Sequence, residues 1–274
     1  MDLFSNLAAL EKKHGSLTRG MIWERRRGDE ALFLSLAGGM CRLVERLAQE
    51  LEGKGVEIRL GQRVVGVQKL QESFDIALAT GERLSSSAVV LALPLRATQA
   101  LLEGIAPLAA IELSRIDTVS TAVVFHAFRR EKVSHPLDGY GFVVPQAEPN
   151  RLLAATFVST KFPSRAPQAH VLVRTFLGGR REPAILNTTD SEIEKVSLRE
   201  LERVIGPLGL PIFSRVVRWA ERTPQVEVGH ASRIAAFERA LQDTPGLFVL
   251  GSGLRGVGIP DSIAAARELA ARLE

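Results

Sequence analysis

The stretch "LFVLGSGLRGVGIPDSI", residues 247–263, decides how this chain is read. Its opening has the form of a buried strand, and Gly251, Gly253 and Gly256 then spell G-x-G-x-x-G. That spacing is a dinucleotide-binding fingerprint when it joins strand to helix inside a βαβ unit, because the glycines permit a tight turn and let backbone approach a pyrophosphate. Here it stands at the wrong end. Only 18 residues follow Gly256, too few for the helix, second strand and acidic ribose ligand that belong about 20 residues further on. The turn is either a strand-to-helix junction without a ligand or the closing contact of a nucleotide site whose opening contact lies elsewhere.

Composition narrows the classes. A chain of 274 residues with 46% hydrophobic content fills one large domain or two interleaved ones. Its formal charge of +4 is scattered, and no basic cluster interleaved with aromatics points to nucleic acid. The single cysteine, Cys41, excludes an internal disulfide and suits a reducing compartment. Its apolar neighbours predict a buried thiol. The opening residues lack the form of a signal peptide, and no run of 18 uncharged apolar residues occurs, so a cytoplasmic protein that does not span a membrane is expected. The five histidines lack metal-ligand spacing, and there is no G-x-S-x-G elbow.

Outward from the glycine turn, the apolar positions divide the chain into segments. Leu36, Met40, Leu43, Val44, Leu47 and Leu51 recur at helical spacing, which predicts a helix with one buried face. Strands are expected at "VEIRL", "RVVGVQK", "FDIALAT" and "RLSSSAVVLALP", the middle ones forming a meander with a buried exit strand. Between Leu95 and Thr223 four strands follow, "STAVVFHAF", "YGFVVP", "LLAATFVS" and "HVLVRTFLGG". One helix interrupts this region: Thr189 and Glu192 make a capping box, and Gly206-Pro207 ends it. A helix around 231–242, the strand "LFVL" and a last helix from about Pro260 to Leu273 close the chain. The order predicts an α/β chain of mixed α+β character, in which residues 35–97 and 225–274 form one unit and residues 98–224 an inserted domain of sheet plus helix.

Four stretches together carry a resemblance: "LAGGMCRLVERLAQEL", "RVVGVQ" leading to "SSSAVVLALP", "RWAERTPQVEVGH" and "GSGLRGVGIPDSI". They resemble the protoporphyrinogen oxidase branch of the flavin-dependent amine oxidase superfamily. "GYGFVVP", "KFPSRAP" and "RTFLGG" are similar to motifs of its substrate domain, and residues 1–34 to the end of its helical, membrane-associated subdomain. The resemblance implies a partial FAD-binding domain of Rossmann-like form without the first strand, glycine loop and helix. It implies FAD as cofactor, met by Val64, Trp219, Gly251, Ser252, Gly256, Val257, Gly258 and Ile259. A helix N-terminus with free N–H groups would stabilise the reduced, anionic flavin there. It implies a flat, apolar, acidic tetrapyrrole as substrate, lined by Val143, Thr156 and Phe176, with Arg174 and Arg180 as sources of positive charge. It implies peripheral membrane association of the full-length protein, and absence of the first strand would expose a sheet edge and an apolar face that favour self-association. Two other readings remain open: a different flavin amine oxidase-like enzyme, such as a desaturase or polyamine oxidase, and a non-catalytic tetrapyrrole-binding module.

Overall fold

A computed structural model describes residues 5–25 and 33–273. The chain divides into two units, one from residues up to Ile116 together with Val226 onward, the other from Asp117 to Gln225.

The first unit opens with the helices α1 (Ser5–His14) and α2 (Leu17–Arg25), which lie against each other with the His14 and Trp23 rings 4.9 Å apart. Helix α3 (Cys41–Gly53) follows, then the antiparallel meander β1 (Val64–Lys69), β2 (Phe74–Leu78) and β3 (Arg83–Ser86). Strand β4 (Val89–Ala92) leaves the meander and leads into α4 (Leu95–Leu102) and α5 (Pro107–Ser114). After the second unit come α8 (His230–Leu241), β10 (Leu247–Leu250) and α9 (Ile259–Leu273). β10 pairs in parallel with β4, Leu247 opposite Val89 and Leu250 opposite Ala92. Parallel neighbours need a crossover, and here the whole second unit lies inside it. The core under this pair gathers Val89, Leu95, Leu102, Leu113, Phe237 and Leu247. Lys69 ties the meander to it, its Nζ donating to the Pro245 carbonyl at 2.9 Å and lying 4.1 Å from the Phe74 ring.

The second unit is a five-stranded antiparallel sheet in the order β6 (Gly141–Val143), β7 (Leu152–Phe157), β8 (His170–Gly178), β5 (Thr118–Arg129) and β9 (Phe213–Pro224). A one-turn helix, α6 (Val158–Lys161), links β7 towards β8, and α7 (Asp190–Ile205) covers one face. Alternation along the strands builds that face: Ala122, Val124 and Phe128 from β5, Val171, Val173 and Leu177 from β8, and Ala155 and Phe157 from β7. They meet Ile193, Val196, Leu201 and Ile205 of α7. Thr189 caps α7 by accepting from the Glu192 N–H at 3.3 Å, and Gly206 ends the helix at φ +80°. Thr189→Ala is expected to lower stability by about 1 kcal/mol, read from urea unfolding. Arg181 braces the β6–β7 hairpin, donating to the carbonyls of Asn150 (2.6 Å), Leu152 (2.7 Å), Pro145 (2.9 Å) and Val144 (3.2 Å).

Buried beneath the sheet, His126 links β5 to β9 and α7. Its Nδ1 lies 2.7 Å from Ser214 Oγ and its Nε2 2.8 Å from Ser197 Oγ, which is 2.6 Å from Thr175 Oγ1. Thr175 donates to the Val124 carbonyl, so Ser197 donates to Thr175 and accepts from the imidazole Nε2–H. Nδ1 is then left accepting from Ser214, and the network is complete with a neutral ring.

Several expectations are corrected. The boundary lies at 116/117 rather than 97/98, because α4 and α5 bury Leu95, Leu102, Ala109 and Leu113 against Ile234 and Phe237 of the first unit. The inserted sheet has a fifth strand, β9, which carries Trp219. "VEIRL" is not a strand; Leu60 is exposed, and Arg59 pairs with Glu57 and Glu82. Helix α3 buries no residue, with Leu43, Val44 and Leu47 at 38%, 68% and 56% exposure. Its stripe has the right period but no layer closed over it. Cys41, expected buried, is exposed for the same reason. The reading of residues 1–34 falls partly outside the described residues. No helix among the described residues is long and apolar enough to cross a membrane.

Candidate functional site

In the first unit the glycine turn joins β10 to α9. Gly251 has φ +157°, and a Cβ there would meet the Leu93 carbonyl oxygen at 3.1 Å, so the backbone passes where a side chain fits poorly. The turn closes through Gly253 N–H to the Gly256 carbonyl at 2.7 Å. His230 holds it from below, its Nε2 3.1 Å from the Leu254 carbonyl. Among the described residues, the N–H groups of Gly256, Val257 and Ile259 have no protein acceptor, and Val257 and Ile259 are exposed. The expectation of free N–H groups is corrected at one donor. Asp261 accepts from the Gly258 N–H at 2.9 Å, placing a carboxylate in the first turn of α9, where the helix end favours it.

A cavity of about 710 Å³ opens beside this turn, between α8, β10 and α9. Gly251 and Gly256 line it with Phe237, Leu241, Val249 and Leu269, whereas Ser252, Val257, Gly258 and Ile259 do not. Val64 starts β1 and packs on the core of this unit. The remaining N–H donors and the close backbone at Gly251 suit the edge of a flat, anionic-prone cofactor.

In the second unit the structure gathers Val143, Thr156, Phe176 and Trp219 on the sheet face opposite α7. Residues directly opposite each other on antiparallel strands share a face, so the register defines rows. One row reads Val143, Ala154, Phe176, Val123 and Val217 from β6 to β9. The neighbouring row reads Gly141, Thr156, Arg174, Phe125 and Arg215. Trp219 lies beyond the first row, opposite Thr121. Five strands at the usual spacing make each row about 19 Å wide. Val143 is 79% exposed, so the expected cavity is in this unit an open platform. Trp219 thus shares a platform with the substrate-type residues of this unit.

Gly141 explains why "GYG" precedes β6. At φ +133° it sits so close to β7 that a Cβ would collide with the Ala155 carbonyl. Gly141→Ala is expected to unpair β6 and to cost more than about 1 kcal/mol, measured as a fall in unfolding midpoint and loss of amide protection at Phe157, whose N–H donates to the Tyr140 carbonyl.

Sequence reasoning passed over two features of the platform, a bulge in β9 and Arg215. A bulge between Val119 and Thr121 crowds extra β9 residues after Trp219 and puts Glu221 at φ +48°. Such irregularities re-aim side chains beside functional sites. Arg215 completes the second row. Arg174 stands half-buried there, its guanidinium 4.9 Å from the Phe176 ring and its buried Nε without a partner. Burial lowers its pKa from the ordinary value, and burial together with the Arg174 charge lowers that of Lys161. Arg180 is exposed and pairs with Asp117 at 3.3 Å.

Comparison with known proteins gives the family. The family described as "Flavin containing amine oxidoreductase" matches residues 2–273. The coproporphyrinogen III oxidase of Bacillus subtilis (strain 168) is 29% identical over 96% of this chain and 57% of its own length. The mitochondrial protoporphyrinogen oxidase of Nicotiana tabacum is 28% identical over 91% and 51%. A crystal structure described as a protoporphyrinogen oxidase from Exiguobacterium sp. 255-15 superposes with a TM-score of 0.82 at 30% identity, covering 97% of this chain and 57% of that one. The chain spans little more than half the length of these relatives. With the match running nearly end to end, the chain belongs to the flavin containing amine oxidoreductase family.

Proposed function

We propose that this chain serves the FAD-dependent oxidation of a porphyrinogen, protoporphyrinogen IX or coproporphyrinogen III, to its porphyrin with oxygen as oxidant, in haem biosynthesis. The observation that carries this reading is the two-row platform of the second unit: an apolar row flanked by a row with two arginines, on one open sheet face. A flat macrocycle with acidic side chains matches it, its ring over Val143, Ala154, Phe176 and Val217 and its carboxylates towards the arginines. The names of the relatives support the same substrate class.

FAD, when bound, supplies the two-electron acceptor for oxidation at a ring carbon. Gly251, Ser252, Gly256, Val257, Gly258 and Ile259 would hold its ring end through backbone, with His230 positioning the turn and Val64 contributing main chain. Val143, Thr156 and Phe176 would orient the tetrapyrrole and exclude water from one side of it, with Trp219 at the border of the platform. Exposed Met21, Ile22 and Trp23 on α2, next to the basic end of α1, support peripheral membrane contact. The open stripe of α3 supports self-association.

The test is a pair of titrations with the purified chain. Coproporphyrin III or protoporphyrin IX is expected to bind in the micromolar range, followed by quenching of tryptophan fluorescence in a Trp23→Phe background that leaves Trp219 as the reporter; no binding of either sinks the reading. FAD is expected to bind only weakly, with no porphyrinogen turnover above the buffer control. A dinucleotide is anchored by a glycine loop between a parallel strand and the helix behind it, and no described residue ahead of β1 has that form. Stoichiometric FAD binding at micromolar concentration would show that the flavin site is complete.

A further inference from the structure

Neither row of the platform contains an acidic residue. The second row nevertheless holds Arg174 half-buried, with its Nε buried and without a hydrogen-bond partner. A guanidinium removed from water without an acceptor is costly, and such groups in proteins are paired. The Phe176 ring at 4.9 Å offsets part of the cost but leaves Nε without an acceptor. Close by lies a second cation, Lys161, whose pKa the Arg174 charge lowers further. A buried guanidinium Nε without an acceptor, in a row free of acidic residues, makes a receptor for an anion. Its position is specific: Arg174 stands directly opposite Thr156 on one side and Phe125 on the other, next to the apolar row.

Resting on the tetrapyrrole reading above, we infer that Arg174 receives a side-chain carboxylate of the ring and so fixes the in-plane orientation of the macrocycle on the platform. The planar fork of an arginine suits a carboxylate accepted through two oxygens. A ring seated on Val143, Phe176 and Val217 can rotate freely about its own normal, since apolar contact has no direction. One charge-assisted contact at the border removes that freedom. Arg180, six residues further on in "RTFLGGR", has no such part, because it is exposed and pairs with Asp117.

The experiment titrates the purified chain with coproporphyrin III and, separately, with its tetramethyl ester, comparing the natural chain with Arg174→Met and Arg174→Lys. Methionine keeps an unbranched stem over Phe176 and removes the charge. Arg174→Met is expected to weaken binding of the acid about 10- to 100-fold and to leave the ester unchanged, with Arg174→Lys between. Raised salt should weaken acid binding by the natural chain more than by Arg174→Met. Equal weakening of acid and ester would make Arg174 a structural residue and overturn the inference. Unchanged acid binding in Arg174→Met would overturn it while leaving the tetrapyrrole reading intact. Binding of neither compound by the natural chain would remove both. Circular dichroism of each variant separates loss of fold from loss of contact, and Arg174→Lys keeps the test open should the methionine variant not fold.

Discussion

Between pH 7 and pH 4 the second unit is expected to lose about 3 kcal/mol of stability through His126 alone. Burial pushes the His126 imidazole down to about 4, from 6.5 when unfolded. In this window the unfolded chain binds a proton that the folded one refuses, so acid favours unfolding. The stabilisation is full above the unfolded value and is lost as pH falls towards the folded one. No carboxylate offsets the effect, because the partners of the ring are the hydroxyls of Ser214 and Ser197. Protonation would put a second N–H against Ser214 and a charge beneath the sheet. Urea unfolding at pH 7 and near pH 4, followed by Trp219 fluorescence, measures the loss. In His126→Gln, less stable throughout, the part of the pH profile between 6.5 and 4 should flatten. A variant with the same slope as the natural chain would place the titrating group elsewhere.

The second large effect concerns assembly. The chain is proposed to self-associate through α3, and replacing Leu43, Val44 and Leu47 together by Lys, Gln and Glu is expected to make it a monomer at the same concentration. These side chains are 38%, 68% and 56% exposed along one stripe of α3, and contiguous apolar patches of this kind drive association. Because the helix buries nothing, the triple change should leave the melting temperature within a few degrees of the original. Sedimentation velocity across a tenfold concentration range reads the first outcome and calorimetry the second. Unchanged association would move the contact to another surface. A large fall in melting temperature would mean that the stripe is covered within the chain.

Local chemistry was legible wherever the cause was local. The Thr189 cap, the stop at Gly206 and the alternation of β5, β7 and β8 depend on neighbours in sequence, and all were readable there. β9 was harder, since Arg215, Arg218, Glu221 and Arg222 interrupt its apolar alternation and its strand character comes from pairing with β5. "VEIRL" shows the opposite case, an alternating pattern without a strand. The buried face assigned to α3 failed because a period names the face, while burial needs a partner. For the candidate site, motif likeness brought Val143, Thr156, Phe176 and Trp219 into view, but their meeting in adjacent rows depends on cross-strand register, which no local window contains. Arg174 and Arg180 illustrate the limit. They stand close in the chain, and only the fold leaves one half-buried on the platform and the other in an exposed ion pair.

The brace made by Arg181 has a consequence for the order in which the second unit comes apart. All four of its acceptors are main-chain carbonyls, which do not titrate. The His126 network opposite fails in mild acid. Acidification therefore loosens the α7 side of the sheet while the hairpin carrying Val143 and Thr156 stays clamped. In hydrogen-exchange terms, the amides of Val144 and Leu152 should outlast those of Val196 and Leu201 as pH falls. The platform keeps its shape after the layer beneath it has begun to melt.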